Sequence, residues 1–547
     1  MPATDPQLDL RRWLNRATFG ITPALLDEVQ STGWETWVTT QLAPDEKSDT
    51  DCLKRLKNLR LHIEYETQPM AAAAAAGTKP MMATKEARKV NENRPLRLLD
   101  QPLEQTFPLY GKDDVNYEEK SRAMEEVMMA SLLRSVHSKW QLREMLAEFW
   151  HNHFSVNADK DESVMLALPT YDRDVIRANA LGNFRVMLQG VAQNAAMIYY
   201  LDGVESKACP ANENFARELF ELHTLGARNY LNHLYTKWRE VPGALEGKPV
   251  GYIDQDVYEA ARAFTGWTVE NGNEDDDGAK RPNTGKFMVR EAWHDPYQKR
   301  VLAIEFDSQR PALEDGMRVI DLVARHPATA RHIAEKLCRR FLGDAPPESL
   351  IKQAAAEFTA AIDAPDQIAR VMKLILLSAE YRSAPATKFK RPLEFLASYL
   401  RITGADFAPR MDVVYQLDEM GQRLFRWPTP TGHPDTKDYW QSGTFLLRRW
   451  NLPLVLRDDS WKGIASFHFL TLTPADCTTA GKVLSFWSQR LLGQEVAEKS
   501  RAVLLQVLTD DDEATAASEF SGDDKDRDIR IASCVALIAA SPEFQYR

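Results

Sequence analysis

Glu148, His151 and His153 fall together in the stretch Glu148-Phe-Trp-His-Asn-His-Phe154. Carboxylates and imidazoles are the side chains that ligate divalent ions and carry protons near neutral pH. On a helix each residue turns by about 100°. Glu148 and His151 therefore share a face at i,i+3, the spacing that lets both reach one metal ion. His153 falls about 200° from His151, on the stripe of Leu142, Leu146 and Phe149. The two histidines meet at one ion only if the helix breaks.

A second block, Asn212-Glu-Asn214-Phe-Ala-Arg217-Glu218-Leu-Phe-Glu221-Leu-His223-Thr-Leu-Gly226, reads as a helix with Gly226 as its stop. Glu218 and Glu221, again at i,i+3, are candidate catalytic carboxylates. Arg217 and Asn214 are placed to hold them or to meet an anionic substrate group. The plain alternative is a solvent face laced by Glu213–Arg217 and Arg217–Glu221 pairs. His223 lies about 140° from Glu218 and is read as a core or supporting residue. A third element, His294-Asp295-Pro, reads as a turn whose acid ligates a metal or orients the imidazole. A fourth, Arg426-Trp427-Pro-Thr-Pro-Thr-Gly-His433-Pro-Asp435 with Trp440 beyond it, is a proline-stiffened loop whose Trp427, His433 and Trp440 are candidate substrate contacts.

Together these blocks predict a centre with metal ligands His151, His153, His294, Asp295 and Glu148, beside Glu218, Glu221 and Arg217. Nitrogen and oxygen donors suit zinc, iron or manganese, and a metal-bound hydroxide would serve hydrolysis more readily than redox chemistry. The competing readings are a buried polar network that fixes helix packing, a non-catalytic glycan-binding or export and assembly protein, and a haem oxidoreductase with His153 as axial ligand. The chain has no phosphate-binding glycine loop, no Gly-x-Ser-x-Gly and no His-Glu-x-x-His. Those absences count against nucleotide, serine-hydrolase and zincin chemistry.

The elements that must position these residues are helical. From Glu118 to about Trp150, apolar residues recur at three- and four-residue intervals; Thr22-Pro23 and Pro327 mark helix starts. The expected fold is mostly α, a multi-helix body with a small β-element near 286–304, where Lys286–Val289 and Arg300–Ile304 are the strand candidates. The expected organisation is an N-terminal helical segment (1–69), a flexible insertion (70–95) around a six-alanine run, a central helical unit carrying the motifs (96–310), a further helical unit (311–405) and a C-terminal helical unit (406–547). The acidic stretches 270–285 and 509–528 read as solvated loops.

Of 547 residues, 44% are hydrophobic and 27% charged, the balance of a globular protein with a sizeable core. A net charge of −11 argues against nucleic acid as a partner and leaves a small molecule or saccharide as the candidate substrate. Five scattered cysteines make neither a disulfide framework nor a thiolate metal site. No apolar run is long enough to span a bilayer, and no leader is visible at the N-terminus. The expected location is cytoplasmic, or periplasmic or secreted if a leader has been removed.

The order of several motifs resembles one bacterial family, that of the domain of unknown function 1800. They are Leu14-Asn-Arg16-Ala-Thr-Phe19-Gly20, the His151-Asn-His153 block, Asn212 to Gly226, Asp256 to Trp267, and His294-Asp295 with Lys299. His326 to Leu337, Lys390-Arg-Pro392-Leu-Glu394 and Trp427 to Asp435 complete the series. The resemblance spans nearly the whole chain. It implies no assigned activity, export for many relatives, and functional positions in the His-Asn-His, Asn-Glu-Asn and His-Asp blocks.

Overall fold

Thr22 opens a regular helix near the N-terminus as its Thr-Pro pair predicts, after an earlier helix at Pro6–Ala17. In Pro23–Thr32 (α1) the proline sits in the first turn, and Thr22 Oγ1 accepts from Leu25 N at 3.1 Å. The computed structural model describes residues 6–67, 89–274, 278–457, 461 and 463–547. The long periodic stretch forms two helices, Tyr117–His137 (α2) and Gln141–His153 (α3), parted at Ser138, whose extended backbone ends the first. Glu162–Thr170 (α4) packs on α2 and passes directly into a π-helical turn, Tyr171–Arg177. Pro169 lies just before the change, and a residue without an amide N–H weakens the ordinary helical ladder there.

Glu213–Glu218 (α5) likewise widens into a π-turn at Leu219–His223, and Gly226 follows at φ +87°. Asp254–Ala263 (α6), Ala312–Arg325 (α7), Pro327–Phe341 (α8) and Pro392–Thr403 (α9) complete the frame around the motifs. His326 caps α8, its Nδ1 accepting from Ala328 N at 3.1 Å. The apolar faces merge into one core that runs from Leu14 to Phe544.

The β-structure departs from expectation. Lys286–Val289 and Arg300–Ile304 do not pair with each other. Asn283–Val289 pairs antiparallel with Trp267–Asn271, while Lys299–Val301 turns back on Ile304–Phe306. The cause is a two-residue turn, Leu302-Ala303, with both residues at positive φ (50° and 62°), which closes the second hairpin locally. Of the expected insertion 70–95, residues 70–88 lie outside the described residues. Lys89–Pro95 is a strand, paired with Arg60–Glu66, whose Leu61 and Ile63 face a small core of their own. The acidic stretch 509–528 is only partly a loop, because a helix starts at Asp524 with Asp523 as its cap. No helix among the described residues is long and apolar enough to cross a membrane.

Candidate functional site

The last turn of α3 gives three consecutive side chains three different tasks. His151 points to one side, where its Nε2 lies 2.8 Å from Asp172 Oδ1 on the π-turn. Burial pushes the Asp172 carboxyl up, but Arg177, His151 and Arg134 outweigh it and hold the group well below the usual carboxylate range. Asp172 is therefore an anion and accepts from His151 Nε2–H. This selects the tautomer in which Nδ1 is the free base. Nδ1 makes no hydrogen bond to any described residue. The ring stands edge-on to Phe425 and Tyr171, with centroids 4.7 and 5.9 Å away.

His151 lines an internal cavity of about 60 Å³, room for a few waters or a small ligand group. Ser131, Ser155, Gln422, Phe425, Trp427 and His433 line it as well. The Ser131 and Ser155 hydroxyls have no partner among the described residues. Gln422 Oε1 is anchored by Leu393 N at 2.8 Å, so the amide has a fixed orientation and its Nε2 remains available. His433 Nδ1 lies 3.2 Å from Asn152 Oδ1, and its buried Nε2 has no partner.

The cationic groups around the cavity are all paired. Arg177 is bonded to Glu144, and Arg134 lies 3.7 Å from Asp172. Glu148, which shares the cavity face with His151 as the spacing predicts, is clamped by Arg340 (3.0 Å) and Arg391 (2.8 Å). It is a counter-ion in a buried network, with no oxygen lacking a cation partner.

Asn152 fastens the proline-rich loop. Its Nδ2 donates to His433 O at 3.0 Å, and its Oδ1 accepts from His433 N at 2.6 Å. Gly432, at φ +70°, is required here, because a Cβ would lie 2.1 Å from Asn152 O. Trp427 stacks near His433, with centroids 4.6 Å apart, and forms part of the cavity wall. Trp440, expected to contact substrate, is instead buried beneath the loop, with its Nε1–H donating to Pro434 O at 3.0 Å. Its indole closes the underside of the loop and faces no open space.

His153 points away from the cavity, and both its ring nitrogens are engaged. Nε2 lies 3.0 Å from His223 O, and Nδ1 lies 2.8 Å from Lys336 Nζ. Glu218 and Glu221 stand elsewhere, half-buried and without an ion pair among the described residues. Burial, then the neighbouring Glu221, pushes the Glu218 carboxyl up, and Arg217 opposes them. The Arg217–Glu221 pair does not form, because the helix widens at Leu219 and moves Glu221 out of the i+4 position. Arg217 lies nearer to Glu213 (3.2 Å) and Asp254 (3.7 Å). Asn214 is exposed on the first turn of α5.

His294 and Asp295, adjacent in sequence, do not bond to each other. His294 Nδ1 donates to Thr265 O at 2.9 Å, and Nε2 lies 3.4 Å from Asp315 Oδ2 on α7. Asp295 takes a two-pronged contact from Arg262 on α6, at 2.7 and 3.0 Å. Lys299, buried beside them, bonds to Asp315 at 2.8 Å and to the Asp295 carbonyl at 2.6 Å. This block pins a loop between α6 and α7.

The expected single centre therefore separates into distinct places. Glu148 and Asp295 are held by arginines, His151 by Asp172, and His153 by Lys336 and a backbone carbonyl. Glu218 and Glu221 stand apart without an ion pair among the described residues. Among the described residues no three His, Cys, Asp or Glu side chains converge so as to hold a metal ion. Sequence reasoning missed Asp172, Gln422, Ser155 and Lys336. Asp172 left only a faint signal, as the first of three charged residues, Asp172-Arg173-Asp174, after the apolar run Val164–Leu168.

No curated protein and no solved structure matches the chain. A family model does, over residues 12–546, essentially the whole length that carries the helical frame, the His-Asn-His turn and the docked loop. The chain belongs to the family described as protein of unknown function, DUF1800.

Proposed function

We propose that the chain is a hydrolase in which His151 is the general base, held by Asp172, and that its substrate presents a neutral acyl group to the cavity. The observation that carries this reading is the 2.8 Å His151–Asp172 contact at a cavity that the opposite ring nitrogen can face. A carboxylate that fixes the tautomer and orientation of an imidazole prepares it to take a proton from a nucleophile. Water is the nucleophile, and the Ser131 and Ser155 hydroxyls are available to hold it. Gln422 Nε2 is a donor for charge developing on the acyl oxygen. The bound group is neutral because each nearby arginine already has a carboxylate, and a buried anion would lack a counter-charge. The acid–base groups that line the cavity are the kind that hydrolysis uses.

The test uses p-nitrophenyl acetate, p-nitrophenyl butyrate and p-nitrophenyl phosphate with the wild-type chain and the His151→Asn and Asp172→Asn variants. Turnover of an ester beyond the first equivalent is expected, with loss of roughly 10²–10⁴-fold in either variant. The phosphate is expected to remain intact. An ester rate unchanged in folded His151→Asn, or cleavage of the phosphate alone, overturns the reading.

A further inference from the structure

On the far side of the same helical turn lies a second arrangement that the cavity does not use. Lys336 Nζ donates to His153 Nδ1 at 2.8 Å. His153 Nε2 faces the His223 carbonyl at 3.0 Å and must carry the proton there, so Nδ1 is an acceptor. A backbone carbonyl thus orients a histidine, and the histidine in turn holds a lysine amine. His223 and His332 complete the surroundings. Their rings lie 6.2 and 6.1 Å from that of His153, and neither ring nitrogen of the buried His223 has a partner. Asp435, Arg391 and Arg339 are the more distant charges, one anion against two cations.

Other buried or nearly buried lysines are held differently. Lys299 bonds to Asp315, Lys388 to Asp344 and Lys120 to Glu162. Lys390 bonds to Ser398 and is sealed over the Phe544 ring at 3.8 Å. Lys336 has no carboxylate within ion-pair distance among the described residues, and the residue as a whole is half-buried. An amine that is desolvated, lacks a counter-ion and is aimed by an oriented acceptor meets the requirements for a lysine nucleophile.

We propose that Lys336 is an amine nucleophile, held by a hydrogen bond to His153 Nδ1, that condenses with the carbonyl carbon of a small aldehyde or α-keto acid. The ammonium gives one proton to water, and the freed nitrogen pair, aimed by His153 Nδ1, attacks the carbonyl carbon. The C=O π pair passes to oxygen, which receives a proton from water. After a second proton moves from nitrogen to oxygen, the C–O bond breaks and water leaves, giving the protonated imine. The sum is one ammonium plus one carbonyl going to one iminium plus water, with no oxidant or reductant. This site is independent of the hydrolytic reading, because no group is shared between the two.

The experiment uses the full wild-type chain with glyoxylate and cyanoborohydride as trap, followed by site-resolved mass spectrometry across pH 6–10. Burial draws the Lys336 amine down to about 8, whereas an ordinary lysine titrates near 10.4. At pH 7.5 the adduct is expected to form on Lys336 at least about tenfold faster than on the exposed Lys352, in line with a shift of this size. The rate is expected to level off above pH 8, and sealed Lys390 should stay unlabelled. Lys336→Arg should lose the fast-reacting site and keep the slow surface background. Labelling of Lys336 no faster than Lys352, or a rate that climbs steadily to pH 10, overturns the proposal.

Discussion

Among the described residues, two histidine–aspartate combinations invite comparison, and the one adjacent in sequence, His294-Asp295, is the one enclosed by other elements. His294 and Asp295 are neighbours, yet each turns to a different helix, toward Asp315 on α7 and Arg262 on α6. His151 and Asp172 are separated by twenty-one residues and bond directly. Around His294 the charged groups are enclosed by partners from other elements, with Lys299 tying Asp315 to the Asp295 carbonyl. His294 Nε2 itself reaches Asp315 only at 3.4 Å and makes no hydrogen bond. Around His151 the carboxylate side is equally well tied, but the other ring nitrogen and several cavity groups are left open. Chemistry needs one satisfied side to orient the group and one open side to act. The first pair has only the former.

The comparison extends to histidines with no carboxylate at all, where the largest effect is expected. Burial, reinforced by Lys336, draws His223 and His332 down to about 3; burial, reinforced by Arg391, does the same for His433. Each is neutral when folded and titrates near 6.5 when unfolded. Below pH 6.5 the unfolded chain binds the extra protons, so stability is full above that pH and falls as pH drops toward 3. His153, also drawn well below its usual range by burial and Lys336, adds to the same loss, while Asp256, pushed up to about 6 by burial, takes up a proton in the folded state and opposes it. Urea unfolding at pH 7 and pH 5 should reveal net proton uptake, the four lowered histidines outweighing the raised Asp256 carboxyl. Stability that stays flat across this interval would mean these rings are protonated, or partnered, in the native state.

Next in size is Asp315→Asn. It leaves Lys299, 2% exposed, without its anion. Removing one partner of a buried pair costs about 3–5 kcal/mol. The His151 cavity should be untouched, so the ester rate per folded molecule should hold. Asp172→Asn should add a loss of rate. Arg177 keeps Glu144, but Arg134 loses the carboxylate 3.7 Å away, so the fold is destabilised here as well, while turnover falls by roughly 10²–10⁴-fold. If both variants behaved alike in stability and rate, the distinction between a pinned pair and a working pair would collapse.

How much of this was legible beforehand follows from how local each feature is. The Thr22-Pro23 cap, the helix over Gln141–His153 and the opposite facing of His151 and His153 all depend on a few neighbouring residues, and period arithmetic captures them. The Leu302-Ala303 turn escaped because positive φ is ordinarily signalled by Asn or Gly. Asp172 escaped because its partner is twenty-one residues away and its direction is set by a π-turn. Lys336 escaped because its partner, His153, is 183 residues away and on another helix. Trp440 looked like an open aromatic, and only tertiary packing shows that Pro434 and the loop cover it.

The smallest expected effect concerns the block that looked most catalytic by spacing. Arg217 is 36% exposed on its side chain, and its contacts to Glu213 and Asp254 are 3.2 and 3.7 Å. Exposed pairs of this kind contribute about 0–1 kcal/mol, since solvent screens the charges and ordering two long side chains costs entropy. Arg217→Ala should therefore shift the urea midpoint only slightly and leave ester turnover unchanged. Its readable consequence is electrostatic. The cation is what opposes burial and Glu221 at Glu218, so its removal should move the Glu218 titration further up, visible by carbon NMR of the carboxyl. Glu221→Gln should move the same titration down, because the second cause of the upward shift is then gone. If turnover instead fell tenfold or more in folded Arg217→Ala, the π-turn carboxylates would have to be placed beside the His151 cavity in the working site.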